Sequence, residues 1–101
     1  MAEHEGQIKQ YALNINSPSS RVIHLWGDFG AAFVNLVPKD EMKENAKKDG
    51  EDQFYVYLPA DDWGPLVDML RNESPVNFFF SEQTKAVGIF TDREEVGEGN
   101  E

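Results

Sequence analysis

The chain contains no cysteine, so it offers no disulfide, no thiolate metal ligand and no thiol nucleophile. Histidine is nearly as scarce, with His4 and His24 alone. They form no pair at metal-ligand spacing, and a zinc site would have to rest on carboxylates. Glycines occur singly, which excludes a phosphate-cradling loop. No apolar run approaches the roughly 20 residues that span a bilayer. Met1 to Gly6 hold neither a basic start nor an apolar stretch, so no signal peptide is expected. Positive charge is short as well: 9 Lys and Arg stand against 19 Asp and Glu, a net charge of −10. Such a chain repels phosphate backbones and anionic lipid at long range. These absences predict a cytoplasmic protein with no cofactor, no membrane contact and little affinity for nucleic acid.

What remains is enough for one folded unit. The 101 residues are 40% hydrophobic and 12% aromatic, which supports one core without staples. A single domain, 1–101, is expected, with its ordered core over about 7–91. Residues 1 to 6 read as frayed, and His4 within them as solvated. Residues 39–53 alternate Lys with Asp and Glu and hold only Met42 and Ala46 as apolar groups. They read as a mobile loop with room for a helical turn. In the tail, 92–101, five carboxylates from Asp92 to Glu101 face Arg93 alone.

The clearest pattern runs from Phe54 to Phe80. Phe54 to Leu58 is aromatic and β-branched, as a strand prefers, and Pro59 ends it. Asp61 and Asp62 offer an N-cap, and Pro65 falls in the first helical turn. Trp63, Leu66, Val67 and Leu70 recur at the helical period. Asn72 and Pro75 stop the helix, and Val76 to Phe80 begins another strand. Upstream, Gln7 to Asn16 is a strand with Tyr11, Leu13 and Ile15 on one face and Ile8 and Ala12 on the other. Arg21 to Trp26 and Ala31 to Val37 follow, joined by a tight turn at Gly27-Asp28-Phe29-Gly30. Lys85 to Thr91 closes the order, with Val87 and Ile89 opposite Phe90. The predicted fold is α+β: an antiparallel sheet or small barrel of about six strands, in the order βββ-loop-β-α-ββ, with one helix on one face. The connections read as too short for parallel crossovers.

Several of these strands are apolar on both faces, yet one helix shelters only one. Tyr55 and Tyr57 oppose Phe54, Val56 and Leu58; Phe79 opposes Phe78 and Phe80. The sheet therefore curls on itself, or a second copy covers its far side. Tyr55, Tyr57 and Phe79 share the helix-free faces and are the candidate binding residues. The expected role is a non-catalytic module that self-associates as a homodimer or binds a protein partner. One alternative uses the same aromatics to stack single-stranded nucleic acid, although basic residues are sparse around them. A second alternative is a small-ligand or enzyme pocket near His24, whose place between Ile23 and Leu25 fits a structural imidazole better. Asp61, Asp62 and Asp68 serve a helix terminus and its solvated face more readily than a cation. No catalytic or metal residue is assigned.

The run Val67 to Val76 and the ending Glu95-Val96-Gly97-Glu98-Gly99 resemble a set of small single-domain bacterial proteins without assigned activity. That resemblance implies one domain over most of the chain. The strand–Pro–Trp–Leu pattern from Val56 to Leu70 is also similar to segments of transcriptional-coactivator and whirly-type single-strand binders. The final hairpin and the acidic balance depart from that second pattern. Neither likeness supplies catalytic residues.

Overall fold

A computed structural model describes residues 2–16 and 20–92. The centre of the first turn, 17–19, and the chain from Arg93 onward, including the Glu95–Gly99 motif, lie outside the described residues. Seven strands form, named β1 (Glu3–Asn16), β2 (Ser20–Gly27), β3 (Gly30–Val37), β4 (Ala46–Lys47), β5 (Gln53–Pro59), β6 (Val76–Ser81) and β7 (Val87–Thr91). One α-helix, α1 (Trp63–Asn72), joins β5 to β6. All strands belong to one sheet in the order β4-β5-β3-β2-β1-β6-β7.

The sheet is mixed, which corrects the antiparallel expectation. β3 and β5 run parallel, with Ala31 to Val37 alongside Gln53 to Pro59. A parallel crossover needs about a dozen residues, and the 38–52 connection supplies them. That segment, read as a mobile loop, carries a 3-10 turn at Lys39–Glu41 and the short strand β4. β1 is also longer than expected and begins at Glu3. A bulge between Ile8 and Gln10 resets its alternation. Ile8 therefore lies on the same face as Tyr11, not the opposite one: it pairs with buried Val76, while Tyr11 pairs with buried Leu25.

The expected β2–β3 turn forms where glycine is needed. Gly30 adopts φ +116°, and a Cβ at Gly27 would meet the Gln7 carbonyl oxygen at 2.0 Å. β1 passes that close, and the Asp28 N–H donates to the same oxygen at 3.1 Å. The turn tips Phe29 into the core, where it stacks on Phe78 at 4.4 Å.

Curling closes the core. Phe54 of β5 lies 5.2 Å from both Phe78 and Phe80 of β6, although three strands separate β5 from β6 in the sheet. The sheet is thus a half-barrel whose inner faces meet. Ile23, Leu25, Ala32, Val34 and Val56 are fully enclosed within it. α1 lays Leu66 into the open side, with Trp63, Val67, Met69 and Leu70 packed around it. The expected capping role of Asp61 and Asp62 is not met: neither side chain caps the helix. A 3-10 turn at Ala60–Asp62 leads in instead. The Trp63 N–H bonds to the Ala60 carbonyl, and Pro65 has no N–H to satisfy.

The barrel seam falls between the β5 and β7 sides. Asn45 spans it at one end. Its Oδ1 accepts the Tyr57 N–H at 2.8 Å, and its Nδ2 donates to the Lys85 carbonyl at 3.1 Å. One side-chain amide thus stands where another strand would pair.

Two stability predictions follow from this geometry. Phe54→Ala should lower unfolding free energy by about 3–5 kcal/mol, measured by chemical denaturation. Asn45→Ala should cost about 1–3 kcal/mol, because it strands a donor and an acceptor. Its specific mark is faster hydrogen exchange at the Tyr57 amide.

Candidate functional site

Strand alternation sends every second residue to the outer, helix-free face. β2 contributes Val22, His24 and Trp26; β3 contributes Ala31, Phe33, Asn35 and Val37; β5 contributes Tyr55 and Tyr57. Beside them, the second half of β1 places Gln10, Ala12 and Asn14. From β5 to this half of β1, the outer face carries no Asp, Glu, Lys or Arg. In a chain of net charge −10, that is an unusual gap.

The rings in the gap form a row. Tyr55 stacks on Phe33 at 5.7 Å with an interplanar angle of 18°. Phe33 meets His24 edge-on at 4.8 Å, and His24 meets Trp26 at 5.7 Å. Trp26 ends the row and is 39% exposed. Tyr57 flanks it, beside Asn35 in the β3–β5 register. Asn35 Nδ2 donates to the Phe33 and Val56 carbonyls, each at 3.3 Å, fixing the strands beneath the rings.

Of the three residues singled out in the sequence, Tyr55 and Tyr57 lie together here. Phe79 does not join them. It pairs with Glu5 and Gly88 on the far limb of the curled sheet, among the acids of early β1. Phe33 is the member that sequence reasoning missed, and His24, considered there as a pocket residue, stands in the row between Phe33 and Trp26. Only the parallel β3–β5 register brings Phe33 beside Tyr55, and that register was read wrongly.

His24 sits between rings on the convex side, and no hydrogen bond or ion pair of its side chain occurs among the described residues. His4 departs from its solvated expectation. It lies on the inner side of β1, 5.3 Å from the Phe54 ring, and its Nε2–H donates to Glu82 Oε2 at 2.5 Å. The Glu82 N–H also bonds the Ala2 carbonyl at 3.1 Å, so the start of β1 is tied to the β6–β7 turn twice. Residues 2 to 5 are thereby anchored rather than frayed.

No model of a protein family matches the chain, and comparison with curated proteins and with solved structures found no match. Among the described residues, no helix is long and apolar enough to cross a membrane.

The His4–Glu82 pair generates a pH prediction. The hydrogen bond from His4 holds the Glu82 carboxyl below its ordinary value of 4.5; desolvation opposes it, and the charges of His4, Lys47 and Lys85 add to it. A carboxylate depressed in the fold stabilises above its unfolded value and loses that contribution as pH falls through the folded one. Glu82→Gln should therefore flatten the acid limb of thermal stability as pH falls below about 5, through and beneath the ordinary carboxylate range. Thermal midpoints of both proteins across that range measure it.

Proposed function

We propose that this chain is a non-catalytic protein-binding module whose outer sheet face is the contact surface, with a second copy of the chain as its partner. The supporting observation is the coincidence of a ring row with a charge-free surface. The centres of protein interfaces are depleted of charge and enriched in aromatic residues. The rest of the molecule is strongly acidic, so two copies meet with least repulsion where neither bears a charge. The seven-stranded sheet has its helix on the other side, and among the described residues no element covers these rings.

The single-strand reading uses the same ring row as a stacking platform. It is the weaker one, since phosphates need cations and this face has none. Salt separates the two. Screening of like-charged copies should strengthen self-association as salt rises from about 10 mM to about 150 mM. Oligonucleotide binding should weaken over the same range.

Sedimentation of wild type across concentrations is the direct test. Tyr57→Ala should weaken association by on the order of 2 kcal/mol while leaving the fold intact. A wild type that stays monomeric at high concentration overturns the self-association reading.

A further inference from the structure

β1 is long, and only part of it is covered on its second side. Glu3 to Ile8 pairs with β6, whereas Gln10 to Asn16 pairs with β2 alone. Beyond Ile8 the β6 ladder ends, because the chain before Val76 turns up into α1, although Glu73 and Ser74 still line a groove with Gln10 and Tyr11. Among the described residues, the backbone groups along this edge have no ladder partner. Its inner-side residues are Tyr11, Leu13 and Ile15, which are 36%, 42% and 70% exposed. They are three of the six exposed large apolar residues described.

Folded proteins blunt such edges with charge, proline or a bulge. Here the bulge at Lys9 lies before the open stretch, and Gln10 to Asn16 contains no charge and no proline. The charge pattern extends further. Gln7 to Gly27 holds none of the chain's 19 acidic residues, and carries Lys9 and Arg21.

We infer that the Gln10–Asn16 edge is a strand-addition site whose occupant is the same edge of a second copy, paired antiparallel about a two-fold axis at Leu13. This builds on the self-association reading but puts a contact at the sheet edge, separate from the ring row. The stretch is self-complementary in that register. Leu13 meets Leu13 of the second copy, and Tyr11 meets Ile15 of the second copy, an aromatic–β-branched cross-strand pair. On the other face, Gln10 meets Asn16 of the second copy and Ala12 meets Asn14 of the second copy. No like charges stand opposite one another in this register. The two-fold makes the contact isologous and closed, and the two sheets become one. An unrelated extended peptide could use the same backbone groups. The second copy is the occupant favoured by the self-matching pattern and by the absence of acids within Gln10 to Asn16; Glu73, beside Gln10 and Tyr11, is the acid that borders the edge, at its Gln10 end.

Leu13→Lys places two like charges at the axis, and the position is open enough to accept the side chain. It should weaken edge pairing at least about a hundredfold. The full chain, Leu13→Lys and Tyr57→Ala are compared by sedimentation equilibrium. In parallel, amide exchange on wild type is followed with dilution. Edge pairing predicts that outward-facing amides between Gln10 and Asn16 lose protection on dilution, which needs no variant to fold. Dissociation by Leu13→Lys but not by Tyr57→Ala upholds the edge and removes the ring-row contact. Dissociation by Tyr57→Ala alone, with 10–16 exchange independent of concentration, overturns the edge. A larger wild-type assembly that either variant reduces upholds both contacts. A wild type that is monomeric throughout overturns both, including when an added peptide binds the edge.

Discussion

The structure depends on Phe54 reaching across the sheet to Phe78 and Phe80. β5 and β6 are not neighbours in the ladder, so this contact exists only if the sheet curls. A flat seven-stranded sheet would leave α1, about 15 Å long by its 1.5 Å rise, to cover strands spread over roughly 30 Å. Curling lets the inner faces of the two limbs bury each other, and α1 needs only to close the mouth. Each ring pair adds about 0.5–1.5 kcal/mol beyond the area it buries. Phe54 has several such partners, including Phe29 at 6.2 Å and His4 at 5.3 Å.

The same curl dictates the outside. Side chains that converge on the inner face diverge on the outer one, so Tyr55 and Phe79 lie on separate limbs. What keeps Tyr55, Phe33, His24 and Trp26 together is local ladder register, because they sit on adjacent strands. The helix lies on the other side, and among the described residues no other element crosses this one. The ring row is thus a consequence of a sheet with two apolar faces and one helix. The inner apolar set and α1 make up the buried core, and the outer set lies apart from it.

Much of this was legible in the sequence, for identifiable reasons. α1 was readable because Leu66, Val67 and Leu70 recur at its period and Pro65 marks its first turn. The β2–β3 turn was readable from its glycines, and the split of Val87 and Ile89 from Phe90 from simple alternation. Apart from the cap expected of Asp61 and Asp62, the failures share a physical cause: each needed information about a neighbouring strand. The bulge at Lys9 answers the registers of β2 and β6, and no local pattern announces it. The parallel pairing of β3 with β5 depends on where the 38–52 connection lands. His4 is held by Glu82, far away in sequence. The ring row was half visible: Tyr55 and Tyr57 were found by their alternation. Phe33 was not, and His24 was considered only for a pocket, because their place beside Tyr55 is a matter of register.

Charge explains why the exposed features of this fold are tolerable together. A long uncharged edge and an uncharged aromatic face are ordinarily liabilities toward aggregation. Here the other surfaces are densely acidic, from Asp28 through the 40–62 segment to Glu82. Any encounter that is not well oriented brings carboxylates near carboxylates, and the repulsion acts over a Debye length of about 8 Å at physiological salt. Encounters that align the neutral patches avoid most of it. Under the proposed self-association, the acidic balance adds orientation-dependent repulsion that disfavours approaches other than the one along the β1–β3 meander.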